Sequence, residues 1–442
     1  MPQDKASLWV LGPSFFLGLV ETMTVAPSPV DVHARARTLI SLDEACRRAA
    51  RYASPIDGWE TVSVADALDR ILVEQICARI PLPPFDQSAM DGYAFAASAV
   101  DRVETELPIV SRIVAGGPSS PPLPFGAAAR IFTGAPIPSG ADTVAMQEHV
   151  QHRDSRLIVE GPVRPGSNVR HRGEDVAKGD VLLEIGQFLD ARHLALLSAQ
   201  GLSHVNVMRR LRVAVVSTGD ELRQPGETLG ESAIFDSNRP MLLALVRQAG
   251  LEAIDGGCIA DNANAIALRL SALADSADLV VTTGGASIGE ADYSAAALAA
   301  SGAAFEVLTM ALKPGKPAVV GRFANASYLG LPGNPVSALV TWLIVGNAMV
   351  AALCGMKPRR RLGATMTSIS RFERSSGRTE FAPARLVMTE AGTRVEILGR
   401  GGSARLKPLI HADGLAEIAA TAGDLNPEDS VLFHPFRNGF TI

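Results

Sequence analysis

Leu211-Arg212-Val213-Ala214-Val215-Val216-Ser217-Thr218-Gly219-Asp220-Glu221-Leu222 begins as a run too apolar to carry a solvent face and closes on a turn bearing two carboxylates. Such a run reads as a strand covered on both sides. The pattern repeats downstream, with helical spacing over residues 240–248 and 263–277 and apolar strands over 253–259 and 279–283. Buried strands alternating with amphipathic helices predict a mostly parallel, three-layer α/β domain. Such sheets bind ligands outside the carboxyl ends of their strands. Glu221 falls there after one strand and Asp261 after another. Two or more carboxylates at that edge suit an oxygen-ligated Mg²⁺ better than a soft metal.

The next strand runs into Thr282-Thr283-Gly284-Gly285-Ala286-Ser287-Ile288-Gly289-Glu290-Ala291-Asp292-Tyr293. Small residues between strand and helix let backbone N–H groups approach an anion. Within it, Gly285-Ala286-Ser287-Ile288-Gly289 also matches a serine-hydrolase elbow, which needs a later acid and histidine. Only His411 and His434 follow, both in a region of different character, so the hydrolase reading is set aside. Lys313-Pro314-Gly315-Lys316-Pro317 holds two ammonium groups on a stiff turn, suited to an oxyanion. Leu331-Pro332-Gly333-Asn334-Pro335-Val336-Ser337 then enters an apolar stretch. Proline is tolerated in a first helical turn, and the free N–H groups there can meet an anion. Residues 336–354 are long enough to span a bilayer, but Ser337, Thr341 and Asn347 interrupt them, and a buried helix is expected.

Upstream, Ser41 and Glu44 have capping-box spacing, predicting a helix over about 41–54. The prolines of residues 80–85 forbid helix and mark a domain crossing. Short β-rich stretches such as 128–133 and 143–146, separated by Gly/Pro turns, predict a small inserted β module. Polar turns punctuate this half: Asp86 to Tyr93 with Asp91, Thr133 to Pro138, and Arg170 to Asp175. Each has an ordinary reading as a solvated turn or surface charge cluster. Beyond a basic turn at 357–361, alternating segments such as 384–388 and 394–398 predict a separate all-β domain.

The chain has 442 residues, 47% hydrophobic and 20% charged, with 40 Gly and 28 Pro, as expected of a turn-rich, multidomain globular enzyme. A net charge of −5 argues against a broad nucleic-acid surface. The four cysteines are scattered without a C-x-x-C pair, so neither zinc nor a disulfide framework is signalled, and a reducing cytoplasm is the expected location. The apolar run 8–20 is short for a membrane span and lacks the basic flank of a signal peptide, so no membrane association is expected; Met23 is an alternative start.

In this order, the motifs at 86–93, 133–138, 173–175, 218–222, 284–293, 313–317 and 331–337 resemble the molybdopterin molybdenumtransferase (MoeA) family, which includes the E domain of gephyrin. The resemblance covers residues from about 41 to the end. It implies an elongated homodimer of four domains, the third similar to molybdopterin adenylyltransferase, with a cleft between that domain and parts of the other subunit. On this basis residues 1–37 are an extension, 38–80 with 160–207 form a linker and dimerisation domain, and 81–159 an inserted β-rich domain. Residues 208–355 form the molybdopterin-binding α/β domain and 356–442 a β-barrel-like domain.

The resemblance further implies insertion of molybdate into adenylylated molybdopterin with release of AMP, assisted by Mg²⁺. Functional positions carry over to Asp91, Thr133, Asp175, Glu221, Asp261 and Asp292, with Glu221, Asp261 and Asp292 as metal ligands. Substrate contacts carry over to Arg170, Gly284, Gly285, Ser287, Lys313, Lys316, Pro332, Gly333, Asn334, Pro335 and Ser337, and to Arg378 and Ser403. Thr309 stands where many members carry a lysine. Expected partners are molybdopterin adenylyltransferase and downstream molybdoenzymes or cofactor-maturation proteins. An adenylyltransferase consuming ATP and a non-catalytic dimeric scaffold are the rival readings, and tungstate is a variant substrate.

Overall fold

The computed structural model describes residues 39–100, 104–284, 293–356, 363–399 and 402–436. The chain divides into two compact units, Gly58–Arg209 and the remainder.

The remainder is built on a six-stranded sheet. In chain order it contains α1 (Leu42–Ala50), β1 (Arg212–Thr218), α2 (Asn238–Gln248), β2 (Glu252–Ile259), α3 (Ala263–Ala274), β3 (Leu279–Thr283), α4 (Tyr293–Ala300), β4 (Ala304–Thr309), β5 (Pro317–Phe323) and β6 (Ala326–Leu331). Strand order is β2-β1-β3-β6-β5-β4. β2, β1, β3 and β6 run parallel, and β5 and β4 add an antiparallel edge. Val213, Val215, Leu279 and Val281 are fully buried, as strands covered on both faces require. β1, β3 and β6 therefore end at one edge, and the turn before β5 returns to it because β5 runs antiparallel to β6.

The helix expected at about 41–54 is shorter and belongs with this sheet. Ser41 accepts a hydrogen bond from the Glu44 N–H (3.2 Å), one half of the capping box. The other half is missing, because the Glu44 carboxylate is taken by Arg47 and Arg48. Arg48 also pairs with Glu306 of β4 at 2.8 Å, and the Ser327 hydroxyl of β6 donates to the Tyr52 carbonyl. The apolar segment Pro335–Leu353 is one helix with a π-helical turn at Trp342–Gly346. It is long and apolar enough to cross a membrane, but 72% of its apolar window is buried within the fold.

The C-terminal sheet takes its edge strand from the α/β domain. Leu312–Lys313 pairs in parallel with Thr379–Thr389, which is followed across the sheet by Gly414–Ile418, Ser430–Pro435 and Ala364–Thr367. Gly392–Ile397 pairs off Thr379–Thr389. The expected separate β domain thus shares backbone bonds with the lysine turn. The basic turn at 357–361 lies outside the described residues.

In the unit Gly58–Arg209, a six-stranded sheet runs Thr143–Met146, Gly92–Phe95, Ala128–Ile131, Glu104–Ile113, Arg156–Glu160, Gln151–Arg153. Trp59–Ser63 pairs with His204–Met208, and Ile76–Cys77 with Val181–Leu183. Around these, Val64, Leu72, Leu189, Leu197 and Val207 form a second core with the helix Ala191–Ala199.

Candidate active site

Carboxylates gather at the edge where β1 and β2 end. Asp220 accepts a hydrogen bond from the Asp261 N–H at 3.0 Å. Burial pushes the Asp261 carboxyl up, against a hydrogen bond it accepts from the Asp220 backbone, and the like charges of Asp220 and Glu221 add to the rise. Oxygen donors that repel one another fit a hard dication, which would relieve the repulsion. Among the described residues no three His, Cys, Asp or Glu side chains converge to hold an ion, and Asp292, the third expected ligand, lies outside them. Gly285 and Ser287 lie outside them as well.

Asp236 is an ion-pair residue: it is 2% exposed, caps α2 by accepting from the Arg239 N–H, and meets the Arg239 guanidinium at 3.0 Å. Ser237, which directly precedes the helix, makes no side-chain capping bond, and Asn238 does not cap it either. Asn238 instead donates to the Thr283 hydroxyl at 2.8 Å and to the Gly333 carbonyl at 2.6 Å. Thr283 in turn donates to the Pro332 carbonyl (3.2 Å). The end of β3 is thereby tied to the L-P-G-N-P turn. Gly284 is confined in this seam: φ is +117°, and a Cβ would sit 2.1 Å from the Thr218 carbonyl oxygen. Only glycine fits.

Among the described residues, several polar atoms around the seam are buried without a hydrogen-bond partner: Ser217 Oγ, Thr218 Oγ1, Asn238 Oδ1 and Ser294 Oγ. Each such group costs about 1–3 kcal/mol until a donor or acceptor reaches it. The sequence reading did not single out Ser217, Thr218, Asn238 or Ser294 as functional. Their one visible signal was a polar residue at the end of an apolar strand or the start of a helix.

Lys313 and Lys316 lie on the turn leading into β5. Lys313 Nζ meets Glu380 at 3.0 Å, and the Arg374 guanidinium meets the other oxygen of Glu380 at 3.1 Å. Glu380 and Arg374 are buried, whereas Lys313 is 40% exposed and Lys316 is exposed. Arg374 also donates to the Arg378 carbonyl, fixing that loop. The Val336 N–H, in the first turn of the long helix, donates to the Ser403 carbonyl at 3.0 Å. Pro332 and Pro335 are half-buried, Gly333 and Asn334 exposed, and Ser337 buried. Close to Ser403 in sequence, a cavity of about 650 Å³ is lined in part by Arg385, Arg405, Lys407 and His411. Thr309 is buried, and its hydroxyl has no partner among the described residues.

The unit Gly58–Arg209 brings the other motifs together. The Thr133 N–H and hydroxyl both donate to one Asp91 oxygen, at 2.8 and 2.7 Å, and hold that carboxyl below the usual range. Gly134 N–H donates to Ser88 O, and Ile137 N–H to Asp86 O. Arg170 pairs in register with Gln87, and Arg172 N–H donates to the Asp86 carboxylate. Asp175 is exposed, its N–H donating to Leu82 O.

Family models match three consecutive regions: the MoeA N-terminal region (domain I and II) over residues 40–201, a probable molybdopterin binding domain over 214–352, and the MoeA C-terminal region (domain IV) over 367–436. The molybdopterin molybdenumtransferase of Haemophilus influenzae is 36% identical over 386 residues, 86% of this chain and 94% of that protein. That of a Nostoc species is 38% identical, covering 67% of this chain and 70% of the relative. A crystal structure of a molybdopterin biosynthesis moeA protein from Pyrococcus horikoshii superposes with a TM-score of 0.76 at 27% identity, covering 90% of this chain and all of that one.

Proposed function

The chain belongs to the MoeA family of molybdopterin molybdenumtransferases, and from that premise we propose the reaction and the residues that serve it. It inserts molybdate into adenylylated molybdopterin and releases AMP, completing the molybdenum cofactor. The observation that carries this reading is the shared edge of the α/β sheet. There the Asp220, Glu221 and Asp261 carboxylates, the glycine seam of Gly284 and Gly333, and the turn bearing Lys313 and Lys316 all project from strand ends.

Molybdate and the phosphoanhydride are both anionic, so the chain must hold several negative charges together. Lys313 and Lys316 supply compact positive charge. Lys313 is held in place by buried Glu380. Pro332, Gly333, Asn334, Pro335 and Ser337 present the start of the long helix, an end that favours anions, with the Val336 N–H there taken by the Ser403 carbonyl. Glu221 and Asp261, with Asp292, would hold Mg²⁺, which when bound offsets charge on the bridging phosphates. Asp91, bonded to Thr133, and with it Arg170 and Asp175 are assigned to the same reaction, carried out by a homodimer. Cytoplasmic operation beside molybdopterin adenylyltransferase and the receiving molybdoenzymes completes the reading.

Asp261 provides a test with a stability readout. A carboxyl whose folded pKa is raised weakens the fold above that value, and the penalty fades as pH falls towards its ordinary 3.8. Asp261→Asn is expected to raise the melting temperature at pH 7 without Mg²⁺ while cutting AMP release by about 10²-fold. Unchanged turnover would remove Asp261 from the site. The whole reading is tested by mixing the protein with adenylylated pterin, Mg²⁺ and molybdate. AMP release that requires molybdate, together with reconstitution of a cofactor-free molybdoenzyme, is the expected result; ATP consumption without AMP release from the adenylylated pterin would assign the adenylyltransferase instead.

A further inference from the structure

We propose that Asn238 is a substrate-binding residue whose side-chain carbonyl accepts an N–H of the pterin ring while its amide braces the two flanking loops. The proposal rests on the transferase reading above.

The orientation of the carboxamide follows from its partners. The Gly333 carbonyl can only accept, so the NH₂ must face it, and it does so at 2.6 Å. The second N–H is taken by Thr283 Oγ1, whose own hydrogen is directed to Pro332 O. Both donors are therefore used within the protein. What remains is Oδ1, buried and without a partner, on a residue only 8% exposed. Buried amide oxygens in folded proteins nearly always have a donor. This one sits where a parallel sheet binds its ligands.

The chemistry of the substrates selects the donor. Molybdate, phosphates and ionised dithiolene sulfurs only accept, so none of them can fill Oδ1. The pterin bicycle carries ring N–H and amino donors. The adenine amino group of the departing nucleotide is the other heterocyclic source, and the experiment separates the two. Ser217 Oγ and Thr218 Oγ1, also buried and unpartnered at the end of β1, are hydroxyls able to meet a ring carbonyl or nitrogen.

The test compares Asn238→Ala with Thr283→Val by calorimetric binding of molybdopterin and, separately, of AMP. Thr283→Val disturbs the brace but leaves Oδ1 and the bond to Gly333. Asn238→Ala is expected to weaken pterin binding by about 10-fold or more, with AMP binding and the KM for molybdate unchanged, and Thr283→Val by less than about 3-fold. Should Asn238→Ala not fold, Asn238→Ser, which keeps a hydroxyl but has no amide carbonyl, carries the same expectation. Equal losses in the Asn238 and Thr283 variants, or weakened AMP binding with intact pterin binding, would overturn the proposal. A wild-type protein that binds no pterin and releases no AMP would instead overturn the transferase reading.

Discussion

Glu380→Gln is expected to destabilise the C-terminal sheet by about 3–5 kcal/mol, the cost of leaving a buried charge without its partner. The change keeps the shape of the side chain and removes its charge. Glu380 is 3% exposed and stands between two cations, the fully buried Arg374 and the half-exposed Lys313. Carbonyls of residues 378, 419 and 422 still accept from Arg374, but none offers a negative charge. Hydrogen exchange resolved to Thr379–Thr389 and Gly414–Ile418 reads the loss where it occurs. A change below about 1 kcal/mol, the scale of an exposed pair, would mean that water already screens the triad.

The second large effect is on turnover. Lys316→Ala is expected to lower kcat/KM for AMP release by about 10²-fold at unchanged melting temperature, because Lys316 is exposed and makes no ion pair among the described residues. Lys313→Ala should cost about 10²–10³-fold and also lower stability, since it removes one of the two cations on Glu380. Paired measurements of rate and melting temperature distinguish the two lysines. Equal melting temperatures would show that Lys313 is not a structural partner of Glu380.

How much of this could be read from the chain depended on whether the signal was local. Val213 to Val216 and Leu279 to Val281 are apolar without alternation, so the parallel sheet was legible, as were the glycines and lysines in turns between strands. The place of α1 was not: its contacts with Glu306 and the β6 end join residues far apart in sequence. The capping-box spacing at Ser41 was present, yet Arg47 and Arg48 competed successfully for Glu44. Asp236 carried no local sign that Arg239 would claim it. Asn238 is a bridge between loops, a role visible only once Thr283 and Gly333 stand beside it.

The borrowed edge strand at Leu312–Lys313 also bears on how the enzyme matures. During synthesis the α/β domain emerges before the C-terminal sheet, its lysine turn complete in sequence but lacking Thr379–Thr389 to pair with. Until Glu380 leaves the ribosome, Lys313 is an unanchored cation on an open edge. A chain cut short after the α/β domain would thus carry most of the substrate-contacting motifs without the carboxylate that anchors Lys313, and competence for metal transfer would serve as a check that the polypeptide had been finished.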